Sequence, residues 1–109
     1  MIIDFDSMEK TVFHEFKGGN KDFIARMYTD SLGKIMKGCL KPGASIGMHT
    51  HETNSEMIYI LKGKASILYD DSTEEVSAGN CHYCPKGHSH SMRNHTEEDL
   101  IFFAVVPEQ

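Results

Sequence analysis

The chain has 109 residues, which is enough for one compact hydrophobic core and too few for two. Hydrophobic residues make up 39% of the chain and charged residues 25%, a composition typical of soluble globular proteins. The formal net charge is −5, from 16 acidic and 11 basic residues, and no basic stripe is present, so nucleic acid and anionic membranes are not expected as partners.

The first part of the chain, residues 1–10, carries no clear strand pattern and is expected to be an extension that packs loosely or stays mobile. It begins Met-Ile-Ile-Asp-Phe-Asp, without the charged start and the long apolar segment of a signal peptide. No apolar run approaches the length of a membrane span. We therefore expect a cytoplasmic protein with a single domain over residues 11–109.

Short apolar segments separated by glycine and proline turns fill that domain. Turn signals at residues 18–20, 31–33, 41–43 and 70–72 divide the chain into stretches of strand length. The predicted strands are residues 11–17, 23–30, 34–40, 56–62, 64–70, 73–77 and 100–106, with two more within residues 79–94. The last of the named strands is apolar throughout, which predicts a strand buried on both faces. With no helical period and no repeat, the pattern indicates an all-β sandwich or barrel.

Two histidines and a glutamate lie within eight residues, between Gly43 and Gly63. His49 and His51 are two positions apart, so in an extended strand their side chains leave the same face. The polar segment that follows favours a turn, after which Glu56 begins a new apolar run and can face the two histidines. Imidazole and carboxylate groups aimed at one point are typical metal ligands. The alternative is a pair of solvated histidines in a polar loop.

A second segment, residues 79–94, supplies His90, which lies 34 positions after Glu56. The two segments together resemble the cupin family. The first cupin motif, G-x5-HxH-x3,4-E-x6-G, is matched at every spacing, and so is the second, G-x5-PxG-x2-H-x3-N. The matching residues are Gly43, His49, His51, Glu56 and Gly63 in the first motif, and Gly79, Pro85, Gly87, His90 and Asn94 in the second. Ten positions at fixed spacing are a specific signal.

The resemblance implies a double-stranded β-helix, the jelly-roll barrel of cupins, with a site inside its mouth. It implies that His49, His51, Glu56 and His90 hold one divalent transition metal ion, with iron, manganese, nickel, cobalt, copper and zinc all compatible with nitrogen and oxygen ligands. Three neutral imidazoles and one carboxylate around such an ion leave a net charge of about +1, which favours an anionic ligand. The alternatives are a closed structural ion or an empty site.

Strand alternation predicts which side chains line the pocket. If Glu56 points inward, Ile58 does too, and if His90 points inward, Met92 does as well while Arg93 does not. Ile58 and Met92 are therefore candidate substrate-pocket residues, although both could simply fill the barrel. Arg26 is a further candidate, because an arginine binds a carboxylate through two hydrogen bonds. The alternative for Arg26 is a solvated face.

His88 is a candidate general base, because it lies two residues before His90 and could share the rim of the pocket. The turn at Gly87 interrupts strict alternation there, so a surface position is the alternative. His14, His82 and His95 have no partner visible in the sequence and are assigned to surface or packing roles. The Cys81 and Cys84 side chains are expected on opposite faces of a strand, which disfavours a disulfide between them.

Two classes of function remain open. The first is a metal-dependent enzyme acting on a small molecule, and the resemblance implies dioxygenase, decarboxylase, isomerase or lyase chemistry. The second is a binding or sensing module in which the same ion holds a ligand without turnover. The resemblance also favours a homodimer, and so do the apolar edge strands, which would otherwise stay unpaired.

Overall fold

Ten β-strands form two antiparallel sheets in the computed structural model, which describes residues 1–109. Two short 3-10 turns, Phe5–Ser7 and Phe16–Gly18, are the only helical segments, and no helix has the length and apolar character needed to cross a membrane. The strands are β1 (Thr11–His14), β2 (Asp22–Asp30), β3 (Gly33–Leu40), β4 (Ser45–Thr50), β5 (Glu56–Lys62), β6 (Lys64–Tyr69), β7 (Ser72–Ser77), β8 (Cys81–Cys84), β9 (Ser89–Arg93) and β10 (Leu100–Pro107).

The first three strands belong to one sheet, and from β4 onward the chain passes back and forth between the two sheets. The six-stranded sheet has the order β1-β2-β3-β10-β5-β8, and the four-stranded sheet has the order β4-β9-β6-β7. The last strand, β10, pairs with β3 on one side and β5 on the other and so joins the two halves of the larger sheet. The prediction of an all-β jelly-roll barrel is confirmed.

The first predicted strand, residues 11–17, ends earlier than expected. Strand β1 stops at His14, and a 3-10 turn follows at Phe16–Gly18. Glu15 and Lys17 both adopt the left-handed backbone conformation, with φ of 47° and 57°. A strand cannot continue through such residues, so the alternating pattern in the sequence overestimates the length of this strand.

The hydrophobic core lies between the sheets and is lined by alternate residues of each strand. Ile58 and Ile60 on β5 are buried, whereas Tyr59 between them is 41% exposed. On β10, Leu100, Phe102, Ala104 and Val106 are buried, while the residues between them are only half-buried. The prediction that β10 is buried on both faces is therefore wrong, because no second layer covers the outer face of the large sheet. On that face Phe5 packs edge-on against Phe103, at 6.0 Å between ring centroids.

A close backbone contact holds the Phe16–Gly18 turn against strand β4. A Cβ atom on Gly47 would overlap the carbonyl oxygen of Lys17, and one on Gly19 would overlap the carbonyl oxygen of Ser45. Only glycine permits this approach. The contact matters for function because Phe16 and Lys17 line the cavity described below.

Replacing Gly47 by alanine is expected to push this turn away from β4 and to lower the free energy of unfolding by about 1–3 kcal/mol. Urea denaturation of the purified variant measures the loss. Met48→Ala is the matched control, since Met48 is the next residue on the strand and is 45% exposed. Equal stability of the two variants would contradict the close-contact account.

Candidate metal centre

The two cupin-like segments meet at one end of the space between the sheets. His49 lies on β4 directly opposite His90 on β9, because the register of these strands pairs the two residues. His51 follows the end of β4, and Glu56 is the first residue of β5 in the other sheet. One ligand atom from each of these four residues lies within 4.8 Å of the others. The structure thus brings together all four residues that the sequence predicts as metal ligands.

The spacing of the four ligand atoms suits a single ion. His90 Nε2 lies 3.0 Å from His51 Nε2 and 3.2 Å from His49 Nε2. Glu56 Oε1 lies 3.2 Å from His51 Nε2 and 3.1 Å from His90 Nε2. Two ligand atoms at about 2.1 Å from a common ion, and at right angles about it, are about 3.0 Å apart. The distances therefore leave room for an ion between the side chains.

In His49 and His51, a hydrogen bond at Nδ1 fixes which ring nitrogen carries the proton when the ring is neutral. The Nδ1–H of His49 donates to the carbonyl oxygen of Gly47 at 2.8 Å. The Nδ1–H of His51 donates to Asn54 Oδ1 at 2.5 Å, and Asn54 in turn donates its amide hydrogen to Glu108 at 3.0 Å. Each Nε2 then presents a lone pair to the centre of the group. The donor set present in this chain fits a divalent transition metal ion.

Burial and hydrogen bonding shift the pKa values in this group. Burial raises the pKa of the Glu56 carboxyl, but hydrogen bonds from His51 and His90, which these imidazoles donate in their protonated form when no ion is bound, outweigh it and lower the pKa to about 2. The same carboxylate raises the pKa of His51, whereas burial lowers the pKa of His49. Glu56 is thus an ionised carboxylate at neutral pH, as a metal ligand must be.

The metal-free protein is expected to lose stability in acid through Glu56. Because its pKa falls from 4.5 to about 2 on folding, its stabilising contribution is present above about pH 4.5 and is lost as the pH falls through about 2. That contribution is at most about 3 kcal/mol.

Urea denaturation of the metal-free wild type and of Glu56→Gln measures this effect. The difference in the free energy of unfolding should be largest near neutral pH and should shrink towards about pH 3. A difference that stays constant over this range would show that the carboxylate is not stabilised by its neighbours.

The four residues form part of the wall of a cavity of about 270 Å³. Its remaining wall is mostly apolar and includes Ile58 and Met92, as strand alternation predicts. Exposed polar residues, among them Lys17, Thr50 and Glu52, surround its mouth. The apolar lining residues are Phe16, Phe23, Met27, Met36, Ile46, Ile58, Met92, Phe102 and Val106. A ligand in the cavity would thus contact the four donor residues at one end and apolar side chains around its body.

Arg26 does not reach this cavity. On β2 the buried residues are Phe23 and Ala25, so alternation turns Arg26 to the outer face of the large sheet. There its guanidinium lies 3.7 Å from the Asp6 carboxylate, and its side chain lines a separate cavity with three lysines. The suggestion that Arg26 contributes to the substrate pocket is not supported by this position.

His88 also lies away from the cavity. Its Nδ1 is 2.6 Å from Asp70 Oδ2, and its ring stacks on Tyr69 at 5.6 Å between centroids. The hydrogen bond from His88 lowers the pKa of Asp70. The turn before β9 sends this side chain sideways to the β6–β7 turn, so His88 is not placed to exchange a proton with a ligand of the cavity.

A buried histidine next to the site was missed by the sequence analysis. His82 on β8 is 2% exposed, and its Nε2 lies 3.0 Å from Nδ1 of His90. Its own Nδ1 lies 2.8 Å from Oε1 of Glu74 on β7. The alternation of β8 points His82 inward together with Cys84, but only the register with the neighbouring strands shows that it faces His90.

The cysteines follow the prediction. Cys81 is exposed and Cys84 is buried, so the two side chains lie on opposite faces of β8, and all three cysteines are free. Burial raises the pKa of the Cys84 thiol to about 11. A thiol with such a pKa stays protonated at neutral pH and is a poor nucleophile.

Solved structures with the same architecture cover the whole chain. The crystal structure of a predicted oxalate decarboxylase from Thermotoga maritima superimposes with a TM-score of 0.94, at 24% identity and with complete coverage of both chains. The polyketide cyclase RemF from Streptomyces resistomycificus superimposes with a TM-score of 0.82, at 23% identity, and covers 98% of this chain and 78% of its own. At these identities the likeness shows the fold alone.

One curated relative matches by sequence. An oxalate-binding protein from Thermotoga maritima is 38% identical over 68 residues, which is 62% of this chain and 55% of the relative. The chain thus spans about half the length of that relative. A family model described as "Cupin domain" matches residues 36–106, a segment that contains all four clustered ligand residues. The chain belongs to the cupin family.

Proposed function

We propose that this protein is a metal-dependent enzyme acting on a small anionic molecule, with His49, His51, Glu56 and His90 as the metal ligands. One observation carries the proposal. Four donor atoms, three imidazole nitrogens and one carboxylate oxygen, converge at the wall of a cavity, so a bound ion would face an open space rather than be enclosed by protein. The sequence relative named as an oxalate-binding protein supports a small anion as the ligand.

A divalent ion held there would supply Lewis-acid chemistry to an oxygen atom of the substrate. The chain itself provides the remaining functions. The Gly47 carbonyl and Asn54 orient two of the imidazole rings, and Glu56 contributes the one negative charge among the four ligands. The apolar wall excludes water, and Lys17 at the mouth attracts anions to a chain whose net charge is −5.

A turnover assay tests the proposal. The metal-free protein is reconstituted separately with iron, manganese, nickel, cobalt, copper and zinc, and each form is incubated with a panel of small carboxylic acids and diketones. We expect product with at least one metal, and we expect His49→Ala to abolish it. Met48→Ala, which changes an exposed neighbour on the same strand, should retain the activity. Absence of product with every metal and acid would contradict the proposal.

One observation favours the alternative of a binding or sensing module. Apart from the four ligand residues, the ionisable side chains that line the cavity are the exposed Lys17 and Glu52 and the half-buried Lys34, so no further histidine or buried carboxyl group is present to transfer a proton. A module of this kind would bind an acid in the metal-loaded form and release it unchanged. Calorimetry alongside the turnover assay separates the two functions.

We also propose that the protein works in the cytoplasm as a homodimer. Three free cysteines are consistent with a reducing compartment. The outer face of the large sheet exposes Tyr59, Leu61 and Tyr83, which are 41%, 48% and 53% exposed. An apolar patch on a sheet face is a common interface between subunits. Light scattering measures the mass, and Leu61→Glu should shift a dimer towards monomer.

A further inference from the structure

The composition of the cavity wall limits what kind of anion can occupy it. Phe23, Phe102 and Ile58 line the cavity together with the four ligand residues, and six more apolar side chains, Met27 and Met92 among them, contribute to the wall. Aromatic and aliphatic side chains offer no hydrogen bonds, and the thioether sulfur of methionine is only a weak acceptor. Of the other polar side chains that line the cavity, Lys17, Thr50, Glu52 and Thr53 are exposed, and Lys34 and Asn54 are half-buried.

Oxalate fits such a wall poorly. It consists of two carboxylates and has no apolar part, so it would leave most of the apolar wall in contact with water. The basic residues that line the cavity are the exposed Lys17 and the half-buried Lys34, and an ammonium group does not form the paired hydrogen bonds that a guanidinium gives to a carboxylate. Arg26, the one arginine on this part of β2, lies on the outer face of the sheet.

A larger acid with an apolar body fits both parts of the cavity. Its volume of about 270 Å³ lies just below the range of about 300–1,000 Å³ that is usual for ligand pockets. A single carboxylate, with a neighbouring keto or hydroxyl oxygen, would face the metal end. The rest of the molecule would displace water from Phe23, Phe102 and Ile58.

We propose that the ligand is a 2-oxo or 2-hydroxy monocarboxylic acid with an aromatic or branched aliphatic side chain, and not oxalate. This inference rests on the proposed function only in taking the same four residues as metal ligands. It requires binding and does not require turnover.

Calorimetry with the Co²⁺-loaded protein tests the proposal, with phenylpyruvate, pyruvate and oxalate as probes. Burial of an aromatic side chain predicts that phenylpyruvate binds about tenfold to hundredfold more tightly than pyruvate or oxalate. Oxalate binding as tight as that of phenylpyruvate, or no binding of any of the three, overturns the inference. Binding of phenylpyruvate without turnover of any acid leaves it standing and contradicts only the proposed enzyme.

A charge placed in the wall gives a second readout. Met27→Arg should weaken phenylpyruvate binding and strengthen oxalate binding, because it supplies a partner for the second carboxylate. Tyr28→Arg is the matched control, since its side chain points to the other face of β2, and it should change neither. If Met27→Arg does not fold, Ile58→Ala should reduce the preference for phenylpyruvate while Met57→Ala on the outer face should not. Unchanged preferences in the cavity variants would overturn the proposal.

A different observation, the buried pair of His82 and His90, carries a second inference. Glu74 Oε1 can only accept a hydrogen bond when it is ionised, so Nδ1 of His82 carries the proton of the 2.8 Å contact. A neutral His82 then accepts at Nε2, and the 3.0 Å contact requires that Nδ1 of His90 donates. The remaining nitrogen of His90 is left with a lone pair that points at the other ligands.

The geometry points to His82 as a positioning residue, which holds His90 in the tautomer and the ring orientation needed for metal binding. Both histidines of this pair are buried, with 2% exposure each. The His82 and His90 rings lie edge to edge, with centroids 5.2 Å apart and planes inclined by 28°, and the ring of Tyr69 packs nearly perpendicular to His82 at 5.5 Å. Glu74 connects this buried pair to the exposed surface of β7.

Metal affinity, measured by competition with a chelator, tests the role of His82. His82→Phe keeps a ring of similar shape but cannot accept the hydrogen bond, and we expect it to weaken Co²⁺ binding about tenfold to hundredfold. We also expect an altered visible spectrum of the bound Co²⁺ and, by ¹⁵N NMR of the metal-free protein, a mixture of His90 tautomers. A purely structural role would leave the tautomer unchanged. Wild-type affinity and a single wild-type tautomer in a folded His82→Phe protein would overturn the inference.

Glu74 provides a test that does not disturb the core. Glu74→Met removes the acceptor at the surface and should weaken Co²⁺ binding several-fold, whereas Glu74→Gln keeps an acceptor oxygen and should retain most of the affinity. Glu75→Met is the matched control, because Glu75 is the next residue on β7 and bonds Ser66 instead. If His82→Phe fails to fold, equal affinity of Glu74→Met and Glu75→Met decides against the proposal.

Discussion

Replacing Glu56 by alanine is expected to remove most of the metal from the purified protein. Glu56 supplies the only carboxylate among the four clustered ligands, and its Oε1 lies within 3.2 Å of two of the imidazole nitrogens. Loss of an outer hydrogen-bond partner of a metal ligand typically costs 10- to 100-fold in affinity, so loss of a ligand itself should cost about 100-fold or more. Elemental analysis of the wild type and the variant, purified side by side, measures the effect.

Glu52→Ala is the matched control for this experiment. Glu52 is an exposed carboxylate at the mouth of the same cavity, outside the group of four. It should retain the metal content of the wild type, because its charge acts on the ion only through water. If Glu56→Ala kept the wild-type content as well, Glu56 would not be a ligand, and the proposed metal site would have to be built from the histidines alone.

The largest loss of stability is expected from Phe102→Ala. Phe102 is 1% exposed in the middle of β10 and stacks on Phe23, with ring centroids 5.9 Å apart. Its ring also lies against the backbone of Gly38 on β3, where even a methyl group would not fit. Truncating a buried phenylalanine typically costs 3–5 kcal/mol, roughly 4 on average. Since whole domains are stable by only about 5–15 kcal/mol, the variant should be close to unfolding.

Phe103→Ala is the control for this test, because it removes the same side chain from the less buried face of the same strand. Phe103 is the next residue on β10, but it points to the outer face and contacts Phe5 there. At protein concentrations where the chain is monomeric, we expect its truncation to cost less than half as much, because water can fill the space on the outer face. Urea denaturation of the metal-free proteins compares the two. Equal losses would mean that the outer face is covered in solution, as it would be in the proposed homodimer.

The residues that line the cavity say more about the function of this chain than its membership of the cupin family. The same barrel supports many activities, so function has to be argued from the site. The structural neighbours carry names as different as oxalate decarboxylase and polyketide cyclase. For this chain, the informative features are the apolar wall next to the four ligand residues and the position of Arg26 outside it.

The sequence alone determines the ligand set and the fold class. Part of each follows from short-range rules that the chain carries locally, and the rest follows from the resemblance to the cupin motifs. His49 and His51 share a face because side chains alternate along a strand, and the same alternation places Ile58 inward with Glu56. Glycines and prolines at fixed spacing mark the turns between strands. The resemblance of the two segments to the cupin motifs implies a barrel with His90 near the first pair, and the structure has this arrangement.

The tertiary structure decides everything that depends on which strand lies beside which. Alternation shows that Arg26 and Met27 point in opposite directions, but only the packing of the two sheets shows which of them faces the cavity. The contact between His82 and His90 joins two different sheets, and β10 is exposed on one side because no layer covers the large sheet. Such contacts arise from register and from sheet packing between distant segments, and local patterns of residues do not encode either of them.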